Sequence, residues 1–256
     1  MTRTAIIAAM PAELKPLTRG WRHQRQNGVD LWRWSFAGGE WIAACAGAGI
    51  QAATRAFAEA EKTGPLDQVI STGWAGALRE ELATGQALDV SAVIDARTGE
   101  RFLTKRPEIA VEGSPRSQNR DLGHPGFWVV TNPKVADSHE KLRLAETYSA
   151  ALVDMEASAI ARLAQMRGIP FYCIKGISDG YTDQLPDFNR FISPNGQFKT
   201  LRFTVFALLR PSHWPALIRM GENSRKAARS IADSLLDLLD KDGQIRKRNG
   251  YPNHKR

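Results

Sequence analysis

Apolar residues recur through the first 180 positions as short runs, each broken by a glycine, a proline or an acid. Residues 4–10 (TAIIAAM) form an unbroken run of the buried-strand kind. Pro11 breaks it, and Glu13 then sits just past the strand, at a helix start. Residues 30–36 alternate, Gly38-Gly39 reads as a hairpin turn, and residues 41–46 read as the returning strand. Gly47-Ala48-Gly49 follows, and residues 50–63 are Ala-rich and helical. Residues 68–72 predict a strand that ends in a turn, Gly73-Trp74-Ala75-Gly76. Further strands are predicted at 87–95 and 127–131, with a loop between them at 98–126. Residues 138–148 predict a helix with Ser138 as its cap.

The stretch 151–180 organises the rest. An apolar run at 150–153 ends in Asp154, Met155 and Glu156. A helical segment follows. A second apolar run, 171–174, ends in Gly176-Ile177-Ser178-Asp179-Gly180. This predicts strand–helix–strand, with acids beyond the carboxyl end of both strands, where open α/β sheets bind ligands. An apolar segment at 201–209 and an amphipathic helix at 216–239 complete the pattern. Helices alternating with buried strands predict a single three-layer α/β/α domain on a mixed, mostly parallel sheet, spanning residues 1–240.

Composition changes little in this picture. The chain has 256 residues, 43 % apolar and 24 % charged, which suits a globular domain. Its +8 charge is concentrated late, and residues 241–256 read as a disordered basic tail. Cys45 and Cys173 lie in apolar runs and are expected to be small core residues in a reducing compartment. No leader segment and no run of about 18 apolar residues is visible, so a cytoplasmic location is expected.

The candidate chemistry sits at the strand ends: Glu13, Gly47 with Gly49, Gly73 to Gly76, Met155 with Glu156, and Ser178 with Asp179. No Cys/His cluster, Ser/His/Asp set or P-loop lysine motif is present, so no metal and no cofactor is expected. The glycines at 47 and 49 fall short of a dinucleotide fingerprint, because Ala52 stands at the third glycine position. The five histidines are expected to be solvated.

These residues carry a resemblance. IIAAM with Glu13, GAGI, VISTG, VDMEASAIA and ISDG, in that order over about residues 4–183, resemble the nucleoside phosphorylase/nucleosidase superfamily. The strongest similarity is to 5′-methylthioadenosine/S-adenosylhomocysteine nucleosidases. DARTGERF at 95–102 and LLRPSHWPALIRM at 208–220 resemble the hopanoid-associated phosphorylase branch, whose members look like adenosylhopane nucleosidases. The resemblance implies cleavage of the C1′–N9 bond of a purine nucleoside, through an oxocarbenium-like ribosyl cation and a purine anion. By similarity, Asp179 protonates or hydrogen-bonds the purine at N7, with Ser178 orienting it. A buried strand-end position favours the protonated carboxyl this needs. Glu13 positions and deprotonates the attacking water. Glu156 holds the ribose hydroxyls, Met155 packs on the ribose, and Asp154, Gly73, Trp74 and Ala75 complete the substrate site.

Trp74 departs from the pattern. The family usually has a small hydroxyl residue there, and its phosphorylases place an arginine where Ser71 stands. A phosphate nucleophile needs cationic and hydroxyl anchors, so hydrolysis is expected. Phosphorolysis and a non-catalytic nucleoside-binding protein remain the alternatives. The apolar residues Phe203, Phe206, Leu208, Leu209 and Trp214 offer core packing or a groove for a large 5′ substituent. Arg219, Arg225, Lys226 and Arg229 suit a peripheral membrane contact, no nucleic-acid partner is expected, and an apolar hairpin at Trp32 and Trp34 suggests a homodimer.

Overall fold

The chain runs β1 (Thr2–Ala8), α1 (Pro11–Leu14), β2 (Arg22–Gln26), β3 (Val29–Phe36), β4 (Gly39–Cys45) and α2 (Ile50–Glu61). It continues through β5 (Gln68–Ser71), β6 (Trp74–Ala77), β7 (Ala87–Asp95), β8 (Arg101–Leu103), β9 (Phe127–Thr131) and α3 (Ser138–Tyr148). Last come β10 (Leu152–Asp154), α4 (Ala157–Arg167), β11 (Phe171–Asp179), a 3-10 turn (Phe188–Phe191) and α5 (Trp214–Lys241). This computed structural model describes residues 2–36, 38–105, 126–183, 186–193, 195–199, 202–203, 206, 210 and 214–241. The basic tail beyond 241, residues 106–125 of the expected loop, and Leu208 and Leu209 lie outside the described residues.

Side chains on a strand alternate between faces, and β1 shows what each face meets. Ala5 and Ile7 pack with Ala53, Ala56 and Phe57 of α2 and Ile160 and Ala164 of α4. Ile6 and Ala8 pack instead with Leu14 of α1 and Ile231 and Leu235 of α5. On the far half of the sheet Val93 and Val129 join the first core, while Ile94 and Val130 join Leu144 of α3. Helices therefore cover both faces of one mixed sheet, ordered β2-β3-β4-β1-β5-β11-β6-β10-β9-β7-β8. The expected three-layer α/β/α architecture is present.

β11 joins the two halves. Its first residues pair in parallel with β5, and Gly176 to Asp179 pair in parallel with β6. The strand thus runs nine residues to Asp179 itself, past the expected break after Ile174. Gly176 marks no turn. A Cβ there would lie 2.8 Å from Ile231 Cδ1 and 3.0 Å from Ala227 Cβ, so glycine admits α5 against the strand. Likewise Trp74–Ala77, expected as a turn, is a short strand. β2 was not expected, since all five of its residues are polar and exposed, as suits an edge strand. It also makes His23 a strand residue, stacked on Trp32 and paired with Asp30. Asp137, not Ser138, caps α3, accepting from the Glu140 N–H at 2.9 Å. Cys45 and Cys173 are free and buried.

Trp32 and Trp34 are half-buried, and Trp34 stacks on Trp21 with ring centroids 5.9 Å apart. The hairpin packs against its own core, with both indoles still partly exposed. Among the described residues, no helix is long and apolar enough to cross a membrane.

Candidate active site

A cavity of about 300 Å³ opens at the carboxyl ends of β1, β10 and β11. Glu13, Trp74, Ala75, Asp154, Met155, Glu156, Ser178 and Asp179 all line it, so the structure brings together eight of the nine expected site residues. The ninth, Gly73, touches the site through Glu13. A Cβ on Gly73 would lie 2.9 Å from Glu13 Oε1, and its φ of +120° also calls for glycine.

Glu13 is held by backbone alone. Its Oε2 accepts from the N–H groups of Ala9 and Met10 at 2.8 and 2.7 Å, and Oε1 from that of Trp74 at 2.9 Å. An acid at a helix start ordinarily caps it. Glu13 does that and also ties the end of β1 to β6. Burial pushes its carboxyl above the usual range, against the pull of those three N–H bonds and of Lys175.

Glu156 precedes α4 without capping it; the Ala157 N–H goes to Asp154 Oδ2 at 2.9 Å. Glu156 Oε1 accepts instead from the Gly49 N–H at 2.6 Å. Burial, and then the neighbouring Asp154 charge, push the Glu156 carboxyl up to about 8. Positive charge arriving in the cavity would relieve both acids.

Asp154 differs from expectation. Its Oδ2 meets the Lys175 ammonium at 2.7 Å, and its Oδ1 accepts from Thr131 Oγ1 at 2.7 Å. With the Ala157 N–H as well, both oxygens are occupied, so Asp154 supports the site floor and has little left for a substrate.

Asp179 lies where β11 slips register against β6, between Ile177 and Asp179. Successive side chains of a regular strand point to opposite faces. The slip lets both Ser178 and Asp179 reach the cavity, and Ser178 Oγ donates to Asp179 Oδ1 at 2.6 Å. Lys141 of α3 places its ammonium 2.5 Å from Asp179 Oδ2. Gly76 makes room for the pair, since a Cβ there would lie 2.8 Å from Asp179 Oδ2 and 3.2 Å from Lys141 Cε.

Two lysines therefore belong to the site and escaped the sequence reading. Lys175 is fully buried on β11. Burial works against its charge, but Asp154 and Glu156 prevail and hold it above the usual lysine range. A lysine inside the run FYCIKGI was a usable signal, because lysines are rarely buried unless paired. Lys141 shares a helical stripe with Leu144, Ala145 and Tyr148, at the spacing of a buried face.

Trp74 stands in the cavity wall, and its indole N–H donates to the Ser224 carbonyl of α5 at 2.9 Å. The indole is anchored to the long helix. Opposite the acids the wall is apolar, with Phe188, Ile192, Phe198, Phe203 and Met220. Among the described residues no arginine lines the cavity; Lys134 stands at its exposed rim.

Comparison with known proteins identifies the family. The model of the Phosphorylase superfamily matches residues 3–199. A 5′-methylthioadenosine/S-adenosylhomocysteine nucleosidase of Shewanella halifaxensis is 25 % identical over 230 residues, which cover 81 % of this chain and 99 % of that protein. The Neisseria meningitidis enzyme of the same name, crystallised with methylthio-immucillin-A, aligns with a TM-score of 0.67 at 19 % identity, covering 94 % of this chain and 100 % of that one. The native futalosine hydrolase of Helicobacter pylori aligns with a TM-score of 0.64 at 18 % identity, covering 94 % and 98 %. These structures share the fold. The family match takes in every acid of the cavity, and by it the chain belongs to the Phosphorylase superfamily.

Proposed function

We propose that this chain cleaves the N-glycosidic bond of a 5′-substituted adenosine with water, releasing adenine. One observation carries the reading: Glu13, Glu156 and Asp179, far apart in sequence, converge on one cavity. Breaking C1′–N9 creates a ribosyl cation and a purine anion. The first is stabilised by carboxylates, and the second by a proton. Asp179, held by Ser178, serves the base. Glu13 orients and deprotonates the water. Glu156 and Met155 take the ribose side, and the backbone from Gly73 to Ala75 closes the pocket. The name of the Shewanella relative and the nucleoside-analogue complex of the Neisseria protein support this reading.

Water is favoured over phosphate by what lines the cavity. A phosphate dianion needs several cationic or hydroxyl anchors. Trp74 fills the wall there, and Lys141 and Lys175 are already paired with acids. The test is to incubate the protein with a panel of purine nucleosides, beginning with methylthioadenosine, and to follow free base with and without phosphate. Equal release in both supports the reading. Release only with phosphate makes the chain a phosphorylase, and no release from any nucleoside makes it a binding protein.

The aromatic wall favours a bulky apolar 5′ group, of which a hopanoid is one kind. Phe203 packs tilted or edge-on against Phe188, Phe191 and Phe198 at centroid separations of 5.3–5.6 Å. Higher kcat/KM for adenosine with a long 5′-alkyl group than for methylthioadenosine is the expected sign. A peripheral membrane contact fits the same picture. Trp214 and Ile218 are 46 % and 61 % exposed beside the basic residues Arg219 and Arg225 of α5. The intact chain is expected to sediment with anionic liposomes and not with neutral ones; equal recovery from both would remove this contact.

A further inference from the structure

Lys141 is 1 % exposed, yet it lines the cavity. Its Nζ donates to Asp179 Oδ2 at 2.5 Å and to the Gly180 carbonyl at 2.6 Å. An ammonium has three hydrogens, and no third partner occurs among the described residues. The other Asp179 oxygen already accepts from Ser178. The lysine is thus a proton-bearing donor in direct contact with the acid that would serve the base, on the oxygen that Ser178 leaves free. Ion-pairing inside a protein repays its desolvation poorly, so stability is a weak reason for a lysine here. A leaving purine, by contrast, needs a proton at this spot.

We propose that Lys141 is the proton source for the departing base, acting through Asp179. The inference rests on reading the cavity as a nucleoside-cleaving site. As C1′–N9 breaks, its electron pair passes into the purine. Asp179 takes a proton on Oδ2 from Lys141 Nζ and passes a proton to N7. The base leaves neutral and the lysine is left as an amine. Water adds to C1′ and yields its proton to Glu13. Exchange with solvent then returns a proton from Glu13 to Lys141 before the next turnover, so atoms and charge balance. Other titratable groups also face the pair or its helix. Glu13, Asp154, Glu156 and Lys175 lie in the floor, and Lys134 is at the rim. Asp137, His139, Glu140 and Arg143 lie on the outward side of α3.

Two variants test this, with Asp179 intact and folding checked by thermal melting. Arginine keeps the charge and the donors but does not give up its proton. Lys141→Arg is therefore expected to lose about 100-fold in kcat, with KM within about threefold of the parent. In Lys141→Met, Asp179 has to carry its own proton. The alkaline limb of the kcat profile then moves to lower pH than in the parent. A purely structural lysine would leave the arginine variant near the parent's kcat and the methionine variant with the parent's profile shape; either result overturns the inference. If Lys141→Met does not fold, Lys141→Arg decides alone. If the parent cleaves no nucleoside of the panel, the reading of the site falls, and this inference with it.

Discussion

Asp179→Asn is expected to lower kcat by about 10²–10⁴-fold, the range for losing a positioned general acid. The amide keeps the shape of the side chain and an oxygen for the Ser178 or Lys141 hydrogen bond. What it loses is the ability to relay a proton to a purine. Substrate binding should change less than turnover, because the ribose and 5′ contacts lie elsewhere in the cavity. The variant also leaves Lys141 with a neutral partner, so some stability goes, although the Gly180 carbonyl still accepts from the ammonium. Steady-state kinetics on the best nucleoside of the panel read this out. An Asn variant within a few-fold of the parent kcat would mean that Asp179 does not serve the base.

The second large effect is on stability. Lys175 and Asp154 are in contact at 2.7 Å, and both side chains are fully buried. Lys175 also donates to the Thr72 carbonyl at 3.2 Å. Lys175→Met keeps most of the stem volume and removes the charge. Asp154 is then left as a buried carboxylate with a hydroxyl and one N–H for company. Removing one partner of a buried ion pair costs about 3–5 kcal/mol. That is a large part of the ~5–15 kcal/mol that holds a typical domain folded. For a chain of this size the melting temperature should drop by roughly 6–20 °C. Pairing Lys175→Met with Asp154→Asn should recover part of the loss, because the double variant buries no lone charge. A single variant melting within about 2 °C of the parent would show that the pair contributes little.

Much of this was legible in the sequence, and the failures share a physical origin. Buried strands announce themselves as apolar runs, so β1, β5, β7 and β9 were found close to their observed bounds. The acids at the strand ends were found because sheet topology sends strand ends to one edge. Gly176 and Gly76 were read as turn signals. Each is instead a place where another element comes close: α5 against one, the Lys141–Asp179 pair against the other. A close approach between distant segments leaves the same mark in sequence as a turn. β2 has no apolar residue, and only its pairing with β3 makes it a strand. Lys141 and Lys175 were missed as site residues for a related reason. A buried lysine is defined by its partner, and these partners lie 38 and 21 positions away. The ion pair of Asp154 was equally out of reach, because its position beside Glu156 said nothing of Lys175.

The central claim is hydrolysis at the Glu13–Glu156–Asp179 cavity, and the sugar product tests it most directly. The protein is given the nucleoside it cleaves fastest, in phosphate buffer, and the sugar released is identified by mass. The expected product is a free 5′-substituted ribose in amounts equal to the adenine. A 5′-substituted ribose 1-phosphate, or no sugar product from any purine nucleoside, would contradict it.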